Sequence, residues 1–402
     1  MGLSVGIGMS GQKDSFGAGK EAAQEALKGL NGKNATSLLV FGSPRFNHKA
    51  LLKGIRSVTK NVPTVGGTTA GEASNHGYSK DSVVIMAVYS DTIRFVPGIG
   101  KEISKNERNA GAALVADFKK KAKSFAKART VLMFNDALAG DGLEIIRGIQ
   151  EKLGEDFEIV GGALGDEANF KKVYQYYNGK VYNDAVVGMM IIGDGFDTFT
   201  SVGSAWKSIG NRFKCTKAEG AVVQSFDNRP ALDVYESFLG KTRSKKLPAI
   251  GLEYPFGMID EKATIRGKEY FQIRCPLAVD RKNKTVTLAA AIPEGKDVTM
   301  TIASRQDVIN NAIIVAQRLK NDIKGKKLKM ILLFSCVACK MVLGIKVSDE
   351  LKAVRKVLGE NIPILGFYTY GEIGPIDKKV RQLRPTKWHN ETIVLWALGM
   401  NN

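Results

Sequence analysis

One pattern of strand, helix, strand, glycine-rich turn and strand occurs three times in the sequence. Its copies cover residues 37–90, 130–193 and 330–399, and we call them the first, second and third repeat. Each begins with a short run of Val, Ile, Leu, Met and Phe bounded by turn residues, which is typical of a buried strand. Self-similarity of this kind indicates that one supersecondary unit is used repeatedly. The repeats therefore predict a mixed α/β fold.

The helix of the third repeat is predicted from the spacing of its apolar residues. Leu351, Val354 and Leu358 are three or four residues apart, so they share one helical face. Ser348 is a candidate N-cap, and Gly359 is a candidate stop. A strand–helix–strand unit gives parallel neighbouring strands with a right-handed crossover. The strand after the glycine-rich turn can then return antiparallel.

The segment between the second and third repeats has a different pattern. Residues 225–240 predict a helix that begins near Pro230, because proline suits the first helical turn. Strands separated by turns and a second helix follow, at residues 270–280, 285–295, 298–304 and 306–322. We expect a domain boundary near residue 225, with an N-terminal domain of residues 1–225 and a C-terminal domain of residues 226–402.

The composition predicts a folded protein without membrane segments. The chain has 402 residues, of which 44% are hydrophobic and 25% charged, an ordinary globular balance. Its apolar runs are much shorter than the ~20 residues that a membrane helix needs. The start, MGLSVGIGMSG, lacks the basic and long apolar regions of a secretory signal. We therefore expect a cytoplasmic protein that does not contact a membrane.

The net charge of +19 raises the question of nucleic-acid binding. The basic residues are dispersed, and no RRM, helix-turn-helix or zinc-finger signature accompanies them. The short basic runs lie at residues 119–123, 242–246, 324–329 and 377–384. Such runs at the ends of elements are usually solvated surface, so we do not expect nucleic acid to be a partner.

The four cysteines are too few for a disulfide framework. Cys336 and Cys339 form a C-x-x-C pair, which is either redox-active or buried at the edge of a sheet. A structural zinc site would need a second ligand pair, and the three histidines are scattered. We therefore expect no metal site.

An acidic residue follows the glycine of the turn in every repeat, at Glu72, at Asp166 or Glu167, and at Glu372. A carboxylate at the carboxyl end of a strand can bind a ligand's ammonium group, because open α/β sheets bind ligands at such ends. The alternative is that the acid accepts backbone N–H bonds from its own turn. One ligand site need not be present three times, which favours the alternative for at least one copy. Thr69, Glu72 and Glu372 are candidate ligand contacts.

Three further side chains are candidates for the walls of a pocket. Tyr368 and Tyr370 alternate along one strand, so both point to one face. They line either a pocket or an ordinary sheet core capped by hydrogen bonds. Arg274 lies in a strand with apolar neighbours and could clamp a ligand carboxylate in bidentate fashion. Its alternative role is an outward-facing charge.

His389 and Asn390 precede the last strand and are also candidate ligand contacts. As a neutral imidazole, His389 could bind haem or a metal, or act as a pH-sensitive hydrogen-bonding group. The alternative is a structural hydrogen bond. Haem would also need an apolar cavity, which the sequence does not show.

Several of these segments resemble a known family. VFGSP…VPTVGGTTAGE resembles the N-terminal FIST motif. NRPALDVYESFLG, IRCPLAVD, the IPEG turn and LLFSCVAC…IPILGFYTYGEIGP resemble the C-terminal FIST domain in the expected order, and HNETIVLWALG resembles its closing strand. The resemblance extends from about residue 15 to residue 399.

The resemblance implies a sensory module that binds small ligands, with amino acids or their derivatives proposed. It also implies two mixed α/β domains with sheets packed face to face and flanked by helices. In other architectures the module precedes an output domain, and none is visible in this sequence. We therefore expect a non-catalytic cytoplasmic sensor that signals through a separate partner protein.

Two other functions stay open. Some bacterial FIST proteins are described as haem proteins that sense nitric oxide, so the cofactor is left unidentified, with haem as one candidate. A hydrolase or transferase would use the strand-end acids as general acid and base. That chemistry needs two carboxylates with separated pKa values at one site.

Overall fold

The computed structural model describes residues 2–122, 124–265, 268–376 and 385–401, and the side chains of residues 260–270 lie outside this description. The predicted basic run at residues 377–384 lies outside the described residues. In the described part, no helix combines the length and the apolar character needed to cross a membrane.

The first and second repeats have the same order of elements. Each begins with a strand and a helix that precede the predicted pattern, so each is longer than predicted. The first consists of β1 (Leu3–Ser10), α1 (Ser15–Lys28), β2 (Ser37–Gly42), α2 (His48–Thr59), β3 (Thr64–Thr68), β4 (Glu72–Ser74), β5 (Gly77–Ser79) and β6 (Val83–Ser90). The second consists of β7 (Ile93–Lys101), α3 (Glu107–Lys121), β8 (Ala128–Asn135), α4 (Gly142–Leu153), β9 (Glu158–Gly162), β10 (Gln175–Tyr177), β11 (Lys180–Tyr182) and β12 (Ala185–Gly193).

The third repeat begins with β13 (Phe196–Ser204) and is then interrupted by residues 207–302, which we call the insert. The insert contains β14 (Lys207–Glu219), β15 (Val222–Phe226), β16 (Arg229–Pro230), α5 (Ala231–Ser244), a 3₁₀ turn (Ala249–Leu252), β17 (Phe256–Ile265), β18 (Lys268–Arg274), β19 (Pro276–Asp280), β20 (Thr285–Leu288) and β21 (Asp297–Ile302). The repeat continues with α6 (Arg305–Asp322), β22 (Lys326–Cys336), α7 (Val337–Leu343), a 3₁₀ turn (Gly344–Lys346), α8 (Val347–Leu358), β23 (Ile364–Thr369), β24 (Glu372–Pro375), β25 (Thr386–His389) and β26 (Thr392–Asn401).

The predicted helix of the third repeat is α8, and Gly359 occupies its C-cap as predicted. The predicted N-cap at Ser348 is wrong, because the helix begins at Val347 and Lys346 occupies the cap position without a side-chain bond. The 3₁₀ turn that precedes α8 supplies this start, so no capping hydroxyl is used.

Each repeat contributes four strands to a six-stranded mixed sheet, and the strand orders are β1-β6-β2-β3-β10-β11, β25-β24-β9-β8-β12-β7 and β13-β26-β22-β23-β4-β5. As predicted, the two strands joined by the crossover helix are parallel in every repeat. The strand that closes each repeat returns antiparallel beside the first of them. This alternation gives the mixed α/β class expected from the sequence.

The hairpin that follows each glycine-rich turn does not join the sheet of its own repeat. The β4–β5 hairpin of the first repeat pairs with β23 of the third. The β10–β11 hairpin of the second repeat pairs with β3 of the first, and the β24–β25 hairpin of the third pairs with β9 of the second. The three repeats are therefore joined in a cycle, in which each gives one hairpin and receives another.

The inner faces of the three sheets share one apolar core. Phe41, Phe134 and Phe334 lie near the C-terminal end of the first crossover strand of their repeats and are fully buried there. The ring centroids of Phe41 and Phe134 are 5.0 Å apart, and those of Phe134 and Phe334 are 6.0 Å apart. The outer faces are covered by helices α1 and α2, α3 and α4, and α6 and α8. Sheets that face one another and are flanked by helices are thus confirmed.

The insert forms a fourth sheet in the order β18-β17-β21-β14-β15-β20-β19, with β16 paired to β15. Helix α5 packs on this sheet and gives the insert a core of its own. A further apolar cluster joins the insert to the repeats and includes Trp206, Cys275, Cys336 and Tyr368. The predicted site residues of the C-terminal half lie around this contact.

Candidate functional site

The glycine-rich turns of the three repeats meet at one place, which we call the turn junction (residues 68–72, 163–167 and 368–372). The backbone N–H of Glu167 donates to the carbonyl of Thr69 at 3.1 Å, and that of Ala70 donates to the carbonyl of Tyr368 at 3.1 Å. The N–H of Ala163 donates to the carbonyl of Gly371 at 2.7 Å. Each turn is therefore hydrogen-bonded to both of the others, and side chains from all three repeats surround them.

Glu72 of the first turn is fully buried and bonded within its own repeat. The hydroxyl of Thr69 donates to its Oε1 at 2.6 Å, and the hydroxyl of Ser82 donates to its Oε2 at 3.0 Å. Burial raises the pKa of Glu72 to about 7. Thr69 and Glu72, the two predicted residues of this turn, are thus hydrogen-bonded to each other, and their role as ligand contacts stays a prediction.

Glu372 of the third turn repeats this arrangement. Thr369 donates its hydroxyl to Oε1, while the N–H and hydroxyl of Thr392 donate to Oε2 at 3.0 and 2.8 Å. Burial raises the pKa of Glu372 to about 7 as well. The contacts match the alternative in which the acid stabilises its own turn, with hydroxyl groups as the main donors.

The second repeat departs from this pattern. Leu164 takes the position of Thr69 and Thr369, and Ala185 that of Ser82 and Thr392, so both hydroxyl donors are missing. The carboxylate of Asp166 instead accepts backbone N–H bonds from the loop that follows it, at 2.7 to 2.9 Å from Phe170, Lys171 and Lys172.

Glu167, the second acid of this turn, is half-buried and accepts the hydroxyl of Ser43 from the first repeat at 2.7 Å. Its φ of 57° lies in the left-handed region, which is costly for a residue other than glycine. Glu167 is therefore directed toward a neighbouring repeat, whereas Asp166 is bonded within its own loop.

Lys340 of α7 reaches the turn junction from the third repeat. Its ammonium group donates to the carbonyl of Ala70 at 2.6 Å and lies 5.6 Å from the centre of the Tyr78 ring. Burial lowers the pKa of Lys340, while the charges of Glu167 and Glu72 act in the opposite direction. The sequence does not distinguish Lys340, because it is one of 59 basic residues and only the fold places it here. Ser43, Tyr78, Glu167 and Lys340 form what we call the junction cluster.

The two predicted pocket tyrosines lie beside this cluster in different surroundings. Tyr368 is only 3% exposed, and its hydroxyl donates to Glu350 at 2.8 Å. Tyr370 donates its hydroxyl to Asp166 of the second turn. The ring of Tyr370 stacks at 4.5 Å on Phe170, which is 48% exposed. Tyr368 therefore belongs to the core, and Tyr370 reaches the surface.

Arg274 lies at the other end of the contact between the insert and the repeats. It is only 6% exposed, so it is not an outward-facing charge. Its guanidinium group donates to the carbonyls of Ala291 and Ile273 at 3.0 Å and to the side chain of Gln272 at 2.9 Å. Arg274 lines a cleft of about 740 Å³. The other predicted site residues are not part of the lining of this cleft.

The cleft has one wall from the second repeat and one from the insert. The first wall includes Arg108, Glu144, Arg147 and Glu151, and the second includes Met258, Gln272 and Arg274. Lys387 and Trp388 of β25 lie between the walls. Arg108 forms an ion pair with Glu151 at 3.3 Å, and both Arg108 and Arg147 pair with Glu144. Charges of both signs and apolar surface thus line the same space.

His389 and Asn390 are buried behind this cleft. Nε2 of His389 is 2.9 Å from the carbonyl of Gly374, so the imidazole donates from this atom. Burial lowers the pKa of His389 to about 4, which keeps the ring neutral. Oδ1 of Asn390 has no hydrogen-bond partner among the described residues. Because His389 is tied to the backbone and does not line the cleft, its geometry does not fit an axial ligand of haem.

The thiols near this region are buried and free. Burial raises the pKa values of Cys275, Cys336 and Cys339 well above the usual range, which disfavours the reactive thiolate. The thiol of Cys275 donates to Glu391 Oε1 at 2.8 Å. Across residues 2–122, 124–265, 268–376 and 385–401, no group of three or more His, Cys, Asp or Glu side chains is arranged to hold a metal ion.

The fold and the site define a mixed α/β protein with three interlocked repeats and one insert, in which a cleft lies between the second repeat, the insert and β25 of the third repeat. The FIST N domain matches residues 36–229, and the FIST C domain matches residues 231–375. The chain therefore belongs to the FIST family. FIST domains are generally taken as sensory domains that bind small ligands.

Relatives of the chain include proteins described only as uncharacterised. One from Mycobacterium tuberculosis is 22% identical over 381 residues, which are 93% of this chain and 95% of the relative. One from Methanocaldococcus jannaschii is 24% identical over 216 residues, which are 51% of this chain and 41% of the relative.

Solved structures that resemble the chain include a cyanuric acid hydrolase, with 8% identity, full coverage of both chains and a TM-score of 0.36. PurL of T. maritima complexed with ATP has 11% identity and a TM-score of 0.23, and the match covers 100% of this chain and 72% of that one. At these TM-scores neither likeness supports an inference about function.

Proposed function

We propose that this chain is a cytoplasmic sensory protein that binds an amino acid or a closely related metabolite in the cleft beside Arg274. The observation that supports this proposal is the cleft itself. Its volume of about 740 Å³ lies within the usual range for small-molecule sites, roughly 300–1,000 Å³. It also lies between segments that belong to the two FIST domains.

The lining of the cleft suits a zwitterion. Arg274 and Lys387 place positive charge on the insert and on β25, where a ligand carboxylate can bind. Glu144 and Glu151 place carboxylates on the opposite wall, where a ligand ammonium can replace part of their pairing with arginine. Trp388 offers an apolar surface for the ligand's side chain. An amino acid presents these three features together.

The position of the cleft supplies a means of signalling. A ligand that contacts both walls stabilises one relative position of α4 and the insert, because it adds binding energy only to that position. Closure of a cleft around a ligand is a common form of switching. The resulting surface would be read by a separate partner protein.

A thermal-shift screen with the proteinogenic amino acids tests the proposal. A ligand present at one hundred times its Kd adds about 2.7 kcal/mol to the free energy of unfolding. Each hit is repeated with the corresponding amine, which lacks the carboxylate, and the loss of the shift locates the carboxylate contact. Silence across the whole panel would contradict an amino-acid ligand.

Variants of two residues in the cleft test whether the ligand binds there. Arg274→Gln and Lys387→Gln should each weaken binding at least tenfold, as measured by titration calorimetry. Arg129→Gln is the matched control, because Arg129 is exposed on β8 outside the cleft. Lys387→Gln preserves the test if the buried Arg274 is also needed for folding. Unchanged affinity in both cleft variants would place the ligand elsewhere.

A further inference from the structure

The junction cluster contains an amine without an ionic partner in its immediate surroundings. Among the described residues, no carboxylate lies within ion-pair distance of Lys340, and its polar contact is the neutral carbonyl of Ala70 at 2.6 Å. The half-buried Lys121 is held differently. It forms an ion pair with Asp117 at 2.5 Å and also donates to the hydroxyl of Tyr177.

The surroundings of Lys340 make its ammonium ion easier to deprotonate than that of an exposed lysine. The residue follows Cys339 in α7 and packs beside the apolar cluster that includes Ala70, Tyr78 and Tyr368. Desolvation destabilises an ammonium ion, and it lowers the pKa of Lys340 despite the two glutamates nearby. Desolvated lysines are the ones that act as nucleophiles toward carbonyl compounds.

The cluster also contains a group that can accept and return protons. The charge of Glu167, like that of Glu72, acts on Lys340. Glu167 is half-buried, and the hydroxyl of Ser43 holds its Oε1 at 2.7 Å. The left-handed backbone at Glu167, Ala168 and Phe170 stores strain in this loop, and such strain concentrates at functional sites.

We infer that Lys340 is a nucleophilic amine that captures a small carbonyl compound, an aldehyde or a 2-oxo acid, as a reversible imine. The neutral Nζ adds to the carbonyl carbon and gives a carbinolamine. Loss of water then forms the C=N bond, so amine and carbonyl become imine and water without oxidation or reduction. Glu167 lies beyond direct contact with Nζ, so it accepts the proton that the ammonium ion must lose through a water molecule and returns a proton to the departing hydroxyl group by the same route. This site lies outside the cleft and does not depend on the ligand proposed there.

Reductive trapping tests the inference. The full-length protein is incubated with glyoxylate and sodium cyanoborohydride, which reduces an imine to a stable secondary amine. Peptide mapping by mass spectrometry then gives the labelling rate of each lysine. Lys340 should be labelled at least tenfold faster than Lys121, the matched half-buried lysine that is paired with a carboxylate. Equal rates, or slower labelling of Lys340, would overturn the inference.

Variants of Lys340 and Glu167 distinguish a loss of reactivity from a loss of folding. Lys340→Arg keeps the positive charge and should abolish the fast phase, while the far-UV spectrum stays that of the wild type. Glu167→Gln keeps the hydrogen bond from Ser43 and should slow labelling of Lys340 several-fold without changing the rate at Lys121. If Glu167→Gln leaves the rate at Lys340 unchanged, the assigned proton transfer is wrong. If the fast phase survives in Lys340→Arg, a different residue is the nucleophile.

Discussion

The turns of the first and third repeats bury the glutamate at their last position, whereas the turn of the second repeat leaves the equivalent Glu167 half-buried. Glu72 and Glu372 are fully buried and receive hydroxyl groups from their own repeats. Glu167 is half-buried and receives a hydroxyl from a different repeat. Equivalent turns of the repeats therefore contain two kinds of acid, one fully buried and one half-buried.

Glu72 and Glu372 thus maintain the fold, whereas Glu167 has a candidate chemical role. A buried carboxyl with two hydroxyl donors stabilises its turn, since a polar group out of water needs hydrogen-bond partners. The second turn has lost both donors, at Leu164 and Ala185, and its structure depends instead on backbone N–H groups held by Asp166. Glu167 instead accepts the hydroxyl of Ser43 in the first repeat. The junction cluster therefore lies where the second repeat differs from the first and third, and not where the three repeats agree.

The largest effect is expected where all three repeats agree. Gly66 has a φ of 153°, and a Cβ there would lie 1.8 Å from the carbonyl oxygen of Val40 on the paired strand. A Cβ at Gly161 would lie 2.0 Å from the carbonyl oxygen of Met133, and one at Gly366 would lie 2.2 Å from that of Leu333. Gly66→Ala should therefore cost at least about 4 kcal/mol of the free energy of unfolding and reduce the soluble yield.

Gly220→Ala is the control for the glycine substitution. Its φ of 55° is also left-handed, but a Cβ there would have open space around it. The expected cost is about 1 kcal/mol, from the backbone alone. Urea titration compares the two variants, and equal midpoints would show that the close approach of the strands does not matter.

The next effect compares the two kinds of acid directly. Glu372→Ala should lower the free energy of unfolding by about 3 kcal/mol, because it leaves Thr369 and Thr392 without an acceptor in the core. Glu167→Ala should cost about 1 kcal/mol or less, since its hydrogen-bond partner lies at a half-buried site. Chemical denaturation of both variants measures the difference. A larger loss in Glu167→Ala would reverse the assignment of roles.

The pH dependence of stability gives a further test. The pKa of Glu72 is about 7 in the folded protein and about 4.5 in the unfolded chain. Between these values the folded state binds more protons, so stability falls as the pH rises from 4.5 through 7. Glu72→Gln removes a contribution of about 3 kcal/mol to this fall. The stability curves of wild type and variant should therefore approach each other or cross with rising pH, and parallel curves from pH 5 to 8 would contradict the buried state of Glu72.

The smallest effect concerns the bond between the third turn and the second. Tyr370→Phe removes the hydroxyl that donates to Asp166, but the backbone N–H bonds to that carboxylate remain. The expected loss is about 1 kcal/mol or less. Thermal denaturation measures it, with Tyr368→Phe as the comparison. Tyr368→Phe should cost more, because it leaves the buried Glu350 with fewer donors.

The crossover units were predictable from the sequence, because their strands are dense in large apolar residues and α8 has a clear apolar face. The helices α1 and α3 were not predicted. They pack through small residues, such as Gly19 against the carbonyl of Leu51 and Gly111 against that of Ile145. A stripe of Gly and Ala gives little hydrophobic signal, although it allows the closest approach of two helices.

The acids of the turns and Arg274 were also predictable, since a turn glycine beside a carboxylate and a charge among apolar residues stand out locally. Their partners were not. Ser82, Thr392 and Lys340 come from distant segments, and the fold alone brings them to the turns. The predicted division at residue 225 stays a prediction.

The exchange of hairpins has a consequence for any attempt to separate the two FIST regions. A fragment ending near residue 230 would keep β4–β5, whose pairing strand lies in the other fragment, and it would leave β9 without β24. Each half would then expose open strand edges, which promote aggregation. Produced together, the halves carry complementary edges, and we expect co-expression to restore solubility that neither fragment has alone.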